Sequence, residues 1–318
     1  MNQIPFLDTI VTYPQISQFI RTHSAEEITQ IVSSLANISS IELLGYPMGG
    51  YSKGGSSGAY YFVLQDLKKN IAHYDWVYDH LHDDISRKVF SHLLRFRIVP
   101  DMQFIRLAYD GEHPHYFDDT IVSVDENEVF VDCGGFHGET TEFFVDKYKI
   151  YKHIYLYEPS SNNFEMCRQN LKDYPQVTVR HCGVGEKSDY IELNVADASS
   201  SFIHQNNPDH DADEHNVEIA ALDIDIQEKV TFIKMDVEGF EIPALLGAKN
   251  HIMNDKPKLA ISLYHVVSDI WEIPRLIYYM NPDYKFYIRH YDNKHNWETV
   301  LYAIPAQESN GLLYGGNA

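Results

Sequence analysis

The sequence predicts an α/β fold with a mostly parallel sheet, an antiparallel strand near the carboxyl terminus and a mainly helical amino-terminal region. From Glu128 onward, short apolar runs alternate with helical segments of about ten residues, which is typical of β-α-β units. A glycine-rich turn follows the first of these runs, and before residue 120 the apolar residues recur at helical spacing instead. Ligands of such sheets bind outside the carboxyl ends of the strands, so residues directly after each strand are the functional candidates.

The amino-terminal region has two segments with helical periodicity, Ala25–Leu35 and Trp76–Phe96. The glycine-serine stretch at residues 49–58 lacks the Gly-Lys-Ser/Thr ending of a phosphate-binding loop, so we interpret it as a flexible loop. Further on, strands are expected at Val129–Val131, His153–Tyr157, Val177–Val179, Tyr190–Val195, Val230–Met235, Leu259–Leu263, Lys285–Ile288 and Thr299–Ala303, and helices at Thr140–Tyr148, Asn162–Leu171, Phe240–Met253 and Asp269–Tyr279. The expected organisation is a helical region of unknown role over residues 1–118, an α/β domain over 119–305 and a tail over 306–318.

Charge and cysteine content restrict the partners and the compartment. The 318 residues include 46 acidic and 25 basic side chains, for a formal net charge of −21. This balance disfavours nucleic acids and anionic membranes, where neutralisation of phosphates dominates affinity. We find no apolar run long enough to span a bilayer and no secretory leader, and the three cysteines form no disulfide framework. We therefore expect a cytoplasmic protein.

The turn after the first strand has the composition of a cofactor-binding loop. Asp132 ends the strand, and glycines including Gly134 and Gly138 lead into a helix. Glycines allow a ligand to approach the backbone, and the carboxylate complements an ammonium or sulfonium group. A nicotinamide-binding turn requires Gly-x-Gly-x-x-Gly, but its first position holds Cys133 here. A tight strand-to-helix turn without a ligand is an equally good interpretation of this segment alone.

Glu158 closes the second strand about two dozen residues after the glycine turn. An acidic residue at this position of such a sheet accepts hydrogen bonds from the ribose hydroxyls of an adenosine-containing cofactor. The alternative is a structural role at a helix start, because Pro159 and negative charge are both favourable there. The spacing from the glycine turn favours the cofactor role.

Four blocks of sequence together resemble the FkbM family of S-adenosylmethionine-dependent methyltransferases. They are Val129–Thr140, Tyr157–Pro159, Ala221–Asp223 and, most specifically, Ile233-Lys234-Met235-Asp236-Val237-Glu238-Gly239-Phe240-Glu241. The resemblance extends over roughly residues 115–305. It implies a Rossmann-like class I methyltransferase sheet, S-adenosylmethionine as methyl donor, and usually O-methylation of a sugar, glycan precursor or secondary metabolite.

The resemblance also implies roles for individual residues. Asp132, Gly134 and Gly138 would line the methionine half of the cofactor, and Glu158 would hold the ribose. Cys182, at the end of the third strand, would border the adenine. Other class I methyltransferases commonly have an acidic residue at this last position.

Three residues are candidates for the chemistry. Asp236 and Glu238 follow the fourth main strand on the same cleft edge as the cofactor, where Asp236 would orient the acceptor, approach the donor or act as a base. The two carboxylates would also stabilise the start of the next helix. His265 ends the next strand and is a second candidate for the general base. We expect no metal site, because the segment at residues 204–215, although rich in His and Asp, has no diagnostic ligand spacing and is interpreted as an exposed loop.

Two other functions remain open from the residues alone. An NAD-dependent sugar oxidoreductase or epimerase would use a similar sheet, but it needs the missing first glycine and a proton relay. A non-catalytic binding module would keep the fold without turnover. For the methyltransferase, we expect a small-molecule or saccharide acceptor and neither nucleic acid nor membrane as partner.

Overall fold

The computed structural model describes residues 10–35, 56–194, 201–202 and 215–306. By its internal contacts the chain divides into two compact units. The first, which we call the helical unit, comprises Met1–Glu112, Leu263–Arg275 and Phe286–Leu301. The second, which we call the sheet unit, comprises His113–Ser262, Leu276–Lys285 and Tyr302–Ala318. The tail that we expected over residues 306–318 lies almost entirely outside the described residues.

The main sheet has seven strands and confirms the predicted α/β fold class. In chain order it contains β1 (Val129–Cys133), β2 (His153–Tyr157), β3 (Val177–Arg180), β8 (Phe232–Met235), β9 (Lys258–Ser262), β10 (Tyr284–His290) and β11 (Thr299–Pro305). Their order across the sheet is β10-β11-β9-β8-β1-β2-β3. The pairs β1–β2, β1–β8, β2–β3 and β8–β9 are all parallel. This places β1 in the interior of the sheet, between β8 on one side and β2 on the other.

Central strands of a parallel sheet are covered on both faces, which explains the continuous apolar runs in their sequences. Every residue of β1 is buried. On one face the ring of Phe130 stacks on Phe144 at 4.6 Å between centroids and lies 5.1 Å from Phe232 of β8. Phe117 packs edge-on against Phe130 at 5.8 Å. These aromatic contacts join the helix after β1 to the two central strands.

A second sheet was not predicted as such. It consists of β4 (Gly183–Val184), β5 (Asp189–Asn194), β6 (Ser201–Phe202) and β7 (His215–Ala220), in the order β4-β7-β5-β6. Only β5 was expected, because two-residue strands leave no periodicity and the start of β7 continues a polar segment. Residues 203–214, which hold nearly all of the His- and Asp-rich segment, lie outside the described residues.

The helices of the described chain are α1 (Tyr13–Thr22), α2 (Ala25–Leu35), α3 (Ser56–His80), α4 (Asp84–Ile98), α5 (Met102–Ala108), α6 (Glu139–Tyr148), α7 (Ser161–Asn170), α8 (Leu222–Asp225), α9 (Glu241–Gly247) and α10 (Asp269–Met280). The predicted helix at Phe240–Met253 ends early and is followed by a π-helical turn at His251–Asp255. None of the described helices combines the length and apolar content needed to cross a bilayer.

The segment of helical periodicity at Trp76–Phe96 is divided between two helices, because the chain breaks between α3 and α4. Asp83 starts the second helix as its N-cap and accepts a hydrogen bond from the backbone N–H of Ser86 at 2.7 Å. Asp83 also accepts from Nη2 of Arg289 at 2.7 Å, and Arg289 is almost fully buried. Asp83, at the break, therefore both caps the start of α4 and pairs with a buried cation of the helical unit.

Replacing Asp83 by alanine is expected to lower the free energy of unfolding by about 3 kcal/mol. The substitution removes the N-cap of α4, and it also removes a carboxylate that pairs with the buried Arg289. Burial opposes ionisation of Asp83, but hydrogen bonds from Arg289 and Ser86 outweigh it and lower its pKa. The contribution is therefore present at neutral pH and is lost as pH falls through that lowered pKa, below about 4.

Urea unfolding at pH 7 and at pH 3 measures this effect. Asp84→Ala is the matched control, because the neighbouring Asp84 side chain is fully exposed and forms its ion pair with Arg87, one turn along the same helix. We expect the control to change stability by less than about 0.5 kcal/mol. Equal losses in the two variants would contradict the proposed role of Asp83.

Candidate active site

The carboxyl ends of β1, β2 and β8 lie side by side in the sheet unit. The chain passes from β1 to β2 on one side and returns to β8 on the other, so the strand order reverses at β1. This is the position at which open α/β sheets bind ligands. It brings together the glycine turn after β1, Glu158 after β2 and Asp236 after β8. Five of the predicted site residues therefore share one edge: Asp132, Gly134, Gly138, Glu158 and Asp236.

The glycine turn is held tightly against its neighbours. The N–H groups of Gly134 and Gly135 both donate to the carbonyl of Tyr157, at 3.0 and 3.1 Å. Gly134 has φ +83°, and a Cβ at this position would lie 1.9 Å from the carbonyl oxygen of Asp236. Only glycine fits there, because the turn passes directly against the loop after β8. Gly138, also at positive φ, precedes α6.

Asp132 is completely buried and is part of an ion pair. Its Oδ1 lies 3.0 Å from Nζ of Lys234, and its Oδ2 accepts from the hydroxyl of Thr141 at 2.8 Å. Nζ of Lys234 also donates to the carbonyls of Gly134 at 2.7 Å and Cys133 at 3.3 Å. Burial opposes the charged form of Lys234, but the carboxylates of Asp132 and Asp236 together outweigh it and raise the pKa of the lysine. Sequence reasoning assigned Asp132 to a ligand and gave Lys234 no role.

Glu158 is buried at the end of β2 and joins two loops. One carboxylate oxygen accepts from the N–H of Phe136 in the glycine turn, and the other accepts from the N–H of Ser160, both at 2.8 Å. Burial raises the pKa of Glu158, and these hydrogen bonds oppose the effect only partly. Each carboxylate oxygen has two acceptor sites, so the group retains capacity for ligand hydroxyls. This arrangement fits the predicted ribose-binding role.

Cys182 follows β3 and is buried. Burial raises the pKa of its thiol to about 11, although a hydrogen bond with Arg180 opposes this. The thiol is therefore neutral at physiological pH and offers an apolar surface with a weak donor. Its predicted place beside an adenine stays a prediction.

Asp236 is held by a residue that sequence reasoning missed. The hydroxyl of Tyr116 donates to Oδ2 of Asp236 at 2.8 Å and lies 3.2 Å from Oγ of Ser262 at the end of β9. Nζ of Lys234 lies 5.2 Å from the centre of the Tyr116 ring. Tyr116 is buried and has φ +64°, which is uncommon for a residue other than glycine. Nothing in its sequence context distinguishes Tyr116 from the other tyrosines of a chain that has 23.

The other two catalytic candidates differ from each other in burial. Glu238 does not continue the strand beyond Met235; it is exposed and has φ +54°, so it does not share the setting of Asp236. His265 belongs to the helical unit, where it is buried with its ring 4.2 Å from that of Tyr264.

Comparison with known proteins agrees with this architecture. The family model described as the methyltransferase FkbM domain matches residues 132–296. The structure is similar to that of the methyltransferase FkbM from Methylobacillus flagellatus KT, with a TM-score of 0.64, 26% identity, and coverage of 75% of this chain and 60% of that chain. Comparison with curated protein sequences gave no match.

Two further structures show weaker likeness. An rRNA methylase from Streptococcus thermophilus has a TM-score of 0.37 and 15% identity, with coverage of 60% of this chain and 91% of that chain. Fibrillarin from Aeropyrum pernix, described in complex with natively bound S-adenosyl-L-methionine, has a TM-score of 0.36 and 12% identity, with coverage of 57% and 67%.

Fold and site together define a class I methyltransferase domain. The chain belongs to the FkbM methyltransferase family, since the family model matches more than half of its length. The family predicted from the sequence is thereby confirmed. The alternative of an NAD-dependent oxidoreductase is not supported by this match.

Replacing Lys234 by methionine is expected to lower the free energy of unfolding by about 3–5 kcal/mol, because it leaves the carboxylate of Asp132 buried without its partner. The double variant Asp132→Asn, Lys234→Met has neutral side chains of similar size and is expected to lose much less. Thr141→Val removes one hydrogen bond to the same carboxylate and should cost about 1 kcal/mol. Urea unfolding of the wild type, Asp132→Asn, Lys234→Met, the double variant and Thr141→Val measures these differences, and a loss in the double variant equal to the sum of the two single losses would show that the two side chains are not coupled.

Proposed function

We propose that the sheet unit binds S-adenosylmethionine and that the protein transfers its methyl group to a hydroxyl oxygen of a sugar, glycan precursor or related metabolite. The observation that carries this proposal is the meeting of the glycine turn, Glu158 and Asp236 at the carboxyl ends of adjacent strands. Membership of the FkbM family supports methyl transfer, and the choice of an oxygen acceptor rests on the resemblance to that family.

Within this proposal, S-adenosylmethionine supplies an electrophilic methyl group on a sulfonium sulfur. Glu158 holds the ribose hydroxyls, because it is a buried carboxylate with remaining acceptor sites. Gly134 lets the turn pass close to the loop after β8, and Cys182 gives an apolar border for the adenine. These roles need no movement of the turn, which is already fixed by backbone hydrogen bonds to Tyr157.

Asp236 is proposed to orient the acceptor hydroxyl. The hydrogen bond from the Tyr116 hydroxyl holds this carboxylate in one orientation. Tyr116 is a positioning residue in this scheme, since it acts through Asp236. His265 remains the candidate general base that we predicted from the sequence, because a histidine accepts protons near neutral pH.

Calorimetric titration with S-adenosylhomocysteine tests the cofactor. We expect binding by the wild-type protein, a loss of about 10- to 100-fold in affinity for Glu158→Gln, and no change for Glu165→Gln. Glu165 is a matched control because it is an exposed glutamate on α7 that pairs only with Arg168. Absence of binding by the wild-type protein, or preference for NAD, would contradict the proposal and leave a binding module as the alternative.

The pH dependence of that affinity gives a second test. Because burial raises the pKa of Glu158, its carboxylate takes up a proton at a higher pH than an exposed glutamate near 4.3. The ionised form of Glu158 accepts hydrogen bonds from the ribose hydroxyls. The affinity for S-adenosylhomocysteine therefore has its full value above the raised pKa of Glu158 and falls as the pH decreases through that pKa. We expect this fall in the wild-type protein and a flat profile for Glu158→Gln. Parallel profiles would show that Glu158 does not contact the ligand.

We further propose that Asp132 acts through Lys234 and does not contact the methionine half of the cofactor. Both of its oxygens are engaged with Lys234 and Thr141, and none of its surface is exposed. Its effect on the cofactor is then to hold the carbonyls of the glycine turn in place through the lysine.

Comparison of S-adenosylhomocysteine with 5′-methylthioadenosine, which lacks the amino-acid half, separates the two roles of Asp132. If Asp132 acts through Lys234, Asp132→Asn should weaken both ligands by similar factors, and Lys234→Met should do the same. If Asp132 contacts the amino acid, the variant should weaken only S-adenosylhomocysteine. Affinities are to be measured on variants whose circular dichroism shows a folded protein.

A further inference from the structure

Four arginine or lysine side chains are buried in the described part of the chain. A buried cation is expensive unless a carboxylate compensates it. Three of the four follow this rule: Lys234 pairs with Asp132 at 3.0 Å, Lys258 with Glu128 at 2.8 Å and Arg289 with Asp83 at 2.7 Å. The fourth is Arg97, in the last turn of α4, and among the described residues no carboxylate lies within 4 Å of it.

Arg97 is held in place by neutral oxygens. Its Nη1 donates to the hydroxyl of Tyr74 and to the carbonyl of Val267, both at 2.9 Å. Burial raises the pKa of Tyr74, so that hydroxyl is uncharged, and it donates in turn to the carboxylate of Asp66. The carboxylate of Asp66 is therefore connected to Arg97 through the hydroxyl of Tyr74. The N–H groups on Nε and Nη2 of Arg97 make no hydrogen bond to the described residues.

Arg97 also lines a cavity of about 30 Å³ in the helical unit. Its polar wall includes Tyr264, Asn296 and Thr299, and its apolar wall includes Phe96 and Ile270. A cavity of this size accommodates a small polar group with hydrogen-bond partners, and not an entire sugar. The Nε–Nη2 edge of a guanidinium matches the two oxygens of a carboxylate or phosphoryl group.

We propose that the Arg97 cavity is an anion-binding site that takes the carboxylate or phosphoryl group of a small organic ligand. The ligand supplies the negative charge that Lys234, Lys258 and Arg289 each receive from the protein. Asn296 and Thr299 add polar partners, and the apolar wall packs against the carbon next to the charged group. This inference rests on the helical unit alone, so its test is independent of whether the protein binds the cofactor.

Calorimetric titration of the full chain at constant ionic strength tests this proposal with three probes: D-glucuronate, D-glucose 6-phosphate and D-glucose. We expect one of the two anions to bind the wild-type protein and glucose not to bind. Binding of glucuronate would identify a carboxylate site, and binding of the sugar phosphate a phosphoryl site. Arg97→Gln should weaken the anion at least about tenfold, and Arg97→Lys less, because lysine keeps the charge without the fork.

Arg106→Gln is the matched control, because Arg106 is an exposed arginine on α5, and it should bind as the wild-type protein does. Circular dichroism of each variant establishes that it is folded. If Arg97→Gln does not fold, the affinity of Arg97→Lys for the anion and the comparison of anion with glucose on the wild-type protein still test the proposal. The proposal is overturned if neither anion binds the wild-type protein, if glucose binds as well as the anions, or if a folded Arg97 variant binds the anion with wild-type affinity.

Discussion

The ion pair between Asp132 and Lys234 fixes the register of the two central strands. In the parallel ladder of β1 and β8 these two residues are direct Cα partners. A slip of one residue would bury a carboxylate and an ammonium group without each other, at a cost of several kcal/mol. The same ammonium group holds two carbonyls of the glycine turn. The alignment of the strands and the shape of the turn therefore depend on one buried contact.

Burial gives each ionisable group at this edge of the sheet a defined state. Lys234 is charged because two carboxylates lie near it, and Cys182 is neutral because burial outweighs its hydrogen bond with Arg180. Burial also raises the pKa of Glu158, against the hydrogen bonds that its carboxylate accepts. Asp236 is the member of the set with both a partial exposure and a directed hydrogen bond from Tyr116. The edge thus presents one oriented carboxylate to solvent, while the remaining charges support the backbone around it.

Structure that depends on residues close together in the sequence was predictable, and contacts between residues far apart in the sequence were not. The strands β1 and β2 and the helices after them were expected from periodicity and turn residues within a few positions. The glycine turn and Glu158 were found because each directly follows its own strand. Asp132 was interpreted as facing a ligand because its partner is 102 positions later in the chain, on β8, and periodicity shows nothing of such pairing. Tyr116 was missed for the same reason, since its hydrogen bond joins residues 120 positions apart.

The discontinuous chain path of the helical unit has a consequence during synthesis. Residues 1–112 are synthesised well before Leu263–Arg275 and Phe286–Leu301, the segments that complete their unit. Arg97 has its carbonyl acceptor at Val267, and Asp83 has its cation at Arg289. The packing of the amino-terminal helices must therefore remain incomplete while more than half of the polypeptide is made. Over that interval their unburied apolar surface is available to chaperones.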